Sequence, residues 1–528
     1  MSWLIKRLFR RSSSLAILLL ALSGLAMARP LVLALGGEPD QGFDPVTGWG
    51  VYGAPLFQST LLQRDNQLNL KPDLAEDITV SDNGLVWHAR LRKGVRFSDG
   101  QPLTSRDVVF TFRKIMTSGG RNDLTMLSSV EAVGDDQVQF TLKQPSSLFW
   151  GRLATTAIVP AHLYDKNYAV RPVGSGPFRL VQWQRGRQLI VEPNPYYYGA
   201  KSDFEKITFL FGSQESLVMR ARAGGVDVVS VPLPQARLPF GSMKEWVVKS
   251  VDIRGISFPV KQPFVTGDHR QAGNKVTSDL AIRKAINLVV NRELLASGLL
   301  ENYGHPAWGL AEGLPWDQQA NRFRDNQVGS AIKLLEKAGW IYDSNKGLRV
   351  KEGVPARFEL WYASGDAIRQ GLALAVADRV KRLGIQMEVK SAGWDRIEQV
   401  MLTQPVLFGW GSHDPMELYL QFHSRNAGKG FYNAAWYQNP KVDHWLDKAI
   451  SSGSEADAWR FFQKAQYDGK GGPGFKGDSV WAWLVNLDHV YRVNPCLDLG
   501  ESRIEPHEHG WPITANILEW HDSCQARL

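Results

Sequence analysis

Residues 74–112, LAEDITVSDNGLVWHARLRKGVRFSDGQPLTSRDVVFTF, decide how the rest of the chain is read. The stretch spells strand, turn, strand, turn and helix start. Trp87, Ala89 and Leu91 alternate with His88, Arg90 and Arg92, the period of a half-buried strand. Asp82-Asn83-Gly84 before it is a hairpin turn signal. Ser98-Asp99-Gly100 followed by Pro102 is a second turn. Thr104 and Asp107 stand at capping-box spacing. Val108, Val109, Phe112, Ile115 and Met116 form the apolar face of the helix that follows. Nothing in the stretch suits catalysis.

A chain of 528 residues allows two to four domains, and 44% apolar residues suit a globular protein with a real core. Trp is frequent, at 19 residues, which fits a cleft for amphipathic ligands as well as a core. Residues 1–28 read as a secretory signal: Lys6, Arg7, Arg10 and Arg11, an apolar run from Leu15 to Leu25, and Ala26-Met27-Ala28 as cleavage site. The run falls short of the ~20 residues a bilayer needs, which weighs against a membrane anchor. Arg10-Arg11 leaves Sec and twin-arginine export both open. Removing the four cations of this segment from a formal charge of +8 leaves +4, too mild for a nucleic-acid binder. Cys496 and Cys524 lie in the last 33 residues. They pair as a disulfide in an oxidising compartment or stay as two buried thiols; neither has the spacing of a zinc site.

Further phrases follow in order. Leu31 to Leu35 is a short buried strand ended by Gly36-Gly37-Glu38-Pro39. Val173-Gly174-Ser175-Gly176-Pro177-Phe178 carries tight-turn glycines but lacks the Gly-Lys-Ser/Thr ending of a phosphate loop. Asn194 to Gly199 and Val226 to Pro232 come next. Ser278 opens a helix whose apolar face is Leu280, Ile282, Ala285, Ile286, Val289 and Val290. Ala331 to Trp340 is another helix, stopped by Gly339. Phe358–Tyr362, a helix through Leu383, and Ile385–Val389 alternate strand, helix and strand.

Together these phrases resemble the bacterial extracellular solute-binding proteins of family 5, the binding components of peptide, nickel and opine ABC transporters. The resemblance covers most of residues 31–490. It implies an α/β fold of two lobes with mixed sheets, the class II-like periplasmic-binding-protein architecture, plus an extra small domain. The expected division is 29–52, 168–257 and 480–528 for the first lobe, 53–167 for the small domain, and 258–479 for the other lobe.

The same resemblance turns the segment Phe408 to Pro415, FGWGSHDP, toward the cleft between the lobes. Peptide-binding members place an Asp shortly before this Asp-Pro pair to hold an α-ammonium; here that position is Gly411. Trp410-Gly411 is similar to the form found in nickel and metallophore members, where the Trp lines the pocket. The arginines of those members find no clear counterpart in Leu153 to Pro160. His413 beside Asp414 reads as a metal or acid–base pair, with His423 ten residues on, or as a loop residue beside a helix-capping Asp414. Trp49 and Tyr52, in a loop expected to face the ligand, and Trp394 join Trp410, Gly411, His413 and Asp414 as candidate binding residues. His507-Glu508-His509 is a second cluster, and Arg396 and Arg425 are candidate grips for a carboxylate.

No G-x-S-x-G, no H-E-x-x-H and no Cys/His nucleophile pattern occurs, so an enzyme is not expected. The expectation is a monomeric periplasmic protein that closes on a short peptide, metal chelate or opine-like solute and hands it to an inner-membrane ABC permease with its ATPase. No cofactor is expected beyond a metal carried within the ligand. A receptor or chaperone-like role on the same fold is the alternative.

Overall fold

The computed structural model describes residues 30–51, 55–118, 123–507 and 511–524. The leader 1–28, Tyr52, Glu508 and His509 lie outside these. No helix among the described residues is long and apolar enough to cross a membrane.

Two long antiparallel strands, Lys244–Ser257 and Trp481–Val493, run through the middle of an 11-stranded sheet. At one end, Trp481–Val493 pairs with Val228–Val231, and the sheet continues through Leu31–Ala34, Ile207–Leu210, Gln188–Pro193 and Phe178–Gln184. At the other end, Lys244–Ser257 pairs with Val406–Trp410, followed by Arg357–Ala363 and Gln386–Ala392. One sheet therefore serves both lobes, and these two strands belong to each. Trp481–Val493 is buried almost throughout because the sheet is covered on both faces there. Its pairing with Lys244–Ser257 slips between Val248 and Asp252 and again between Arg254 and Gly255. A slip of this kind bends and twists a strand, and it is here, at residues 249–251, that the strand changes over from the core holding Val248 to the core holding Val251 and Ile253.

The opening stretch builds the small domain. Ala75–Val80, Val86–Leu91, Gln137–Leu142 and Leu127–Ala132 pair in that order in a four-stranded antiparallel sheet. Trp87, Ala89 and Leu91 are buried, and His88 and Arg90 face solvent. Trp87 packs edge-on against Phe149, and Phe112 and Phe140 complete the cluster. In the helix Ser105–Ser118, Val108, Val109, Phe112 and Ile115 are buried, but Met116 is 37% exposed, at the edge of the apolar stripe. Asp107 accepts the Thr104 N–H at 2.9 Å, and the Thr104 hydroxyl donates to the same carboxylate.

In the second lobe the helix Ala367–Lys381 crosses between the parallel strands Arg357–Ala363 and Gln386–Ala392. The helix Leu280–Val289 is capped by Asp279 rather than Ser278. That carboxylate also binds Trp340 Nε1 and Lys351, so one side chain ties three elements. Near the end of the chain Cys496 and Cys524 form a disulfide, with Cα atoms 5.1 Å apart. It closes the segment that carries Trp511 and Trp520 into the first lobe's core.

Charged side chains sit at the changeover. Asp252 is fully buried and binds Arg254 and His507, with His489 3.9 Å away. Glu505, 2% exposed, binds His489 and the Tyr491 hydroxyl. Burial raises the Asp252 carboxyl, but Arg254 and the bonds from His507 and His489 outweigh it and hold the carboxyl well below its usual range. Burial alone would lower His489, but its two acids push it up to about 10.

The signs set a pH window. Asp252, with its pKa depressed, stabilises the fold above its unfolded value near 3.8 and loses that contribution as pH falls below it. His489, with its pKa raised from 6.5, contributes fully below pH 6.5 and loses the contribution as pH rises toward 10. The contribution of these two groups is expected to be largest between about pH 5 and 6.5. The fall toward pH 10 should be on the order of 2–4 kcal/mol, and His489→Gln should flatten it. Calorimetric scans from pH 5 to 10 check this; an alkaline limb unchanged in the variant contradicts it.

Candidate functional site

A cavity of about 640 Å³ lies where the small domain, the second lobe and the C-terminal segment meet. The small domain contributes Gln58, Arg64 and Arg152; the second lobe, Trp410, His413, Asp414 and Glu417; the C-terminal segment, Arg503 and His507. The volume falls within the ~300–1,000 Å³ range of small-molecule sites.

The floor is the end of the strand Val406–Trp410 and the loop behind it. Gly411 has φ +143°, and a Cβ there would meet the Val251 carbonyl oxygen at 2.1 Å. The chain thus runs against the changeover strand, and only glycine fits. An acidic side chain is therefore excluded at this position. The Gly411 N–H donates to Glu417 Oε1 at 3.1 Å, and its carbonyl accepts the His507 N–H at 2.8 Å.

Asp414 fills two roles. Its Oδ1 accepts the Met416 N–H at 2.9 Å, capping the helix Met416–Phe422, and its Oδ2 lies 3.0 Å from Arg152. His413 is a lining residue whose Nε2 is sealed from solvent without a partner. Burial lowers its pKa to about 3, helped by Arg503 and Arg64, against a hydrogen bond with the Ile504 carbonyl. The ring is neutral at physiological pH. Trp410 is half-buried in the wall, its ring centroid 5.6 Å from that of Tyr432.

Glu417 lines the cavity near both. Burial pushes its carboxyl up to about 7; amide N–H groups of Gly411 and Ser412 lower it, and Asp414 and Asp252 raise it. Two ion pairs cross from the small domain to the second lobe, Arg64–Glu455 at 2.7 Å and Arg152–Asp414 at 3.0 Å. Ser147 adds a backbone bond to Ile450 at 2.7 Å and a hydroxyl bond to Ala449 at 2.8 Å.

The other expected site residues sit elsewhere. Trp49 packs edge-on against Phe43 and Trp511 and donates to the Pro55 carbonyl at 2.7 Å, within the first lobe's aromatic cluster. Its bulk serves the core, while its neighbours Gly50 and Val51 line the cavity. Trp394 stacks on Phe408 and is 40% exposed, outside the lining. Tyr52 falls outside the described residues. His423 is buried between Asp447 and the Arg425 amide, away from the cavity. Arg396 lies over Trp361 and Arg425 over Tyr419, and neither lines the cavity. The arginines that do are Arg64, Arg152 and Arg503. Arg152 immediately precedes Leu153 to Pro160. Nothing local marks Arg64, Arg503 or Glu417, which come together only by folding. Among the described residues, the converging triple of potential metal donors is Cys496, Asp522 and Cys524, where both sulfurs are spent in the disulfide.

Residues 69–430 match the family described as bacterial extracellular solute-binding proteins, family 5, middle. Protein XP55 of Streptomyces lividans is 34% identical over 89% of this chain and 85% of its own length. The oligopeptide-binding protein AppA of Bacillus subtilis is 27% identical over 83% of this chain and 86% of its own. Among solved structures, NikZ from Campylobacter jejuni in complex with Ni(L-His) superposes with a TM-score of 0.76 at 23% identity, covering 93% of this chain and 99% of that one. The two-lobed fold is shared.

Two measurements probe this geometry. Gly411→Ala should cost about 2 kcal/mol or more, since a side chain there needs both a strained φ and movement of Val251; a thermal midpoint equal to wild type would refute the close approach. The His413 ring should show no titration by proton NMR between pH 5 and 8. Its depressed pKa leaves stability intact above pH 6.5 and reduces it as pH falls from 6.5 toward 3, where the unfolded chain takes up a proton that the folded ring refuses.

Proposed function

Because the chain belongs to the bacterial extracellular solute-binding proteins of family 5, solute-capturing components of ABC importers, we propose that it binds a small organic solute in the cavity at Trp410–Glu417 and delivers it to an inner-membrane permease. The observation that carries this reading is the cavity itself. It is enclosed by both lobes and the small domain, and its floor leans on the strand where the lobes change over. A solute held there touches parts that must separate for it to leave, as hinge closure requires. Export through a cleaved leader into the periplasm, and action as a monomer, belong to the same proposal.

The relatives are named for different cargoes, oligopeptide, glutathione and nickel, and NikZ was solved in complex with Ni(L-His). The lining favours an organic ligand over a bare cation. Of the three lining arginines, Arg64 and Arg152 are paired with Glu455 and Asp414, and Arg503 is left to place positive charge beside a neutral His413. A neutral imidazole can ligate a metal, yet the unpaired guanidinium of Arg503 beside it repels a bare cation.

Protein purified from a periplasmic extract and examined by native mass spectrometry is expected to carry a small molecule that denaturation releases. Re-addition of that molecule to stripped protein should compact the scattering profile. Trp410→Ala should weaken its binding about tenfold or more, with little loss of thermal stability. Protein that emerges empty and shows no compaction with any periplasmic solute fraction would overturn the reading.

A further inference from the structure

The cavity's charges pair off, and two are left over. Arg64 is matched by Glu455 and Arg152 by Asp414. Asp73 is held by the Tyr198 hydroxyl and the Thr60 N–H, one on each oxygen. Asp123 is exposed. Among the described lining residues this leaves one enclosed acid, Glu417, and one cation, Arg503, with no ion-pair partner. Arg503 gives one hydrogen bond, from an Nη to the Arg64 carbonyl at 3.4 Å. The ring of His507 is already tied to Asp252.

On the importer reading above, we infer that Glu417 receives a cationic amine of the cargo and Arg503 receives its anionic group, so that the ligand is a small zwitterion. Each leftover group is costly to bury alone, and each is offset by a ligand group of opposite sign. The acid corner is built for an amine. Glu417 Oε1 is fixed by the Gly411 N–H, and the rings of Trp410 and Tyr432 stand beside it. Tyr432 is close enough to Glu417 for the carboxylate to raise its phenol pKa, after burial. Aromatic faces next to a carboxylate favour an ammonium over neutral groups. Gly411 cannot carry the acid, because a side chain there would strike Val251. Glu417 brings a carboxylate to the same corner from the first turn of the next helix. Arg503 suits a carboxylate or another planar anion, which its guanidinium can grip with two N–H groups.

An equimolar mixture of di- and tripeptides, the same mixture N-acetylated, and the same mixture C-amidated provide the probes. Occupancy is read by native mass spectrometry on wild-type protein, Glu417→Gln and Arg503→Gln, with circular dichroism and thermal melts to establish that each variant folds. Free peptides should occupy the wild type. N-acetylation or Glu417→Gln should each reduce occupancy about tenfold or more, and combining them should cost little further. C-amidation and Arg503→Gln should behave the same way as a second pair. Acetylated peptides that bind as well as free ones, or a folded Glu417→Gln with undiminished occupancy, would overturn the assignment while leaving the importer reading in place. So would a co-purified solute with no amine. A wild type that binds none of the three mixtures and carries no solute from the periplasm would overturn both.

Discussion

A buried carboxylate, that of Asp252, governs how the molecule is put together. An ionised acid at zero exposure survives only if cations and donors surround it. Arg254 comes from the same strand, His489 from the partner strand and His507 from the C-terminal segment. Three distant parts of the chain are thereby drawn to the point where the sheet passes from one lobe to the other. The slip in pairing between Val248 and Asp252 leaves room for these side chains inside an otherwise continuous ladder.

The site inherits its shape from that arrangement. Gly411 is pressed against the carbonyl of Val251, one residue before the buried acid, and its own carbonyl takes the N–H of His507, which also holds Asp252. The cavity floor and the changeover are therefore bonded to each other directly. A ligand that shifts the loop 411–414 pulls on the strand about which the lobes are arranged. This contact gives a physical route by which occupancy and lobe position share free energy, without any pathway of intermediate residues.

Much of the fold was legible because its signals are local. The alternation at Trp87, Ala89 and Leu91, the Asp82-Asn83-Gly84 turn and the Thr104–Asp107 cap each depend on residues a few positions apart, and the structure has all three. The cap is Asp279 and not the neighbouring Ser278, because the choice depends on Trp340 and Lys351, more than 60 positions away. The site divides the same way. The loop from Trp410 to Asp414 could be read as cleft-facing from its motif, and all four of Trp410, Gly411, His413 and Asp414 line the cavity. Trp49 could not be distinguished from a binding aromatic, because only the fold reveals Phe43 and Trp511 against it. Arg64, Arg152 and Arg503 lie hundreds of residues apart at the extremes and converge solely through the lobe arrangement.

The pairs that cross the cleft bear on how tightly it shuts. Arg64–Glu455 and Arg152–Asp414 are partly shielded, with side-chain exposures of 10 and 18% and of 10 and 31%. In an open state all four groups regain water, so their attraction in the closed state is largely cancelled by the hydration given up. Such pairs fix which surfaces meet but supply little net drive to meet. The equilibrium between open and closed forms is then set by what the cavity still lacks, since a ligand shifts it only by its difference in affinity for the two states. On the proposed importer reading, an acid and an arginine left unmatched would make the empty closed form expensive and would tie closure to the arrival of cargo.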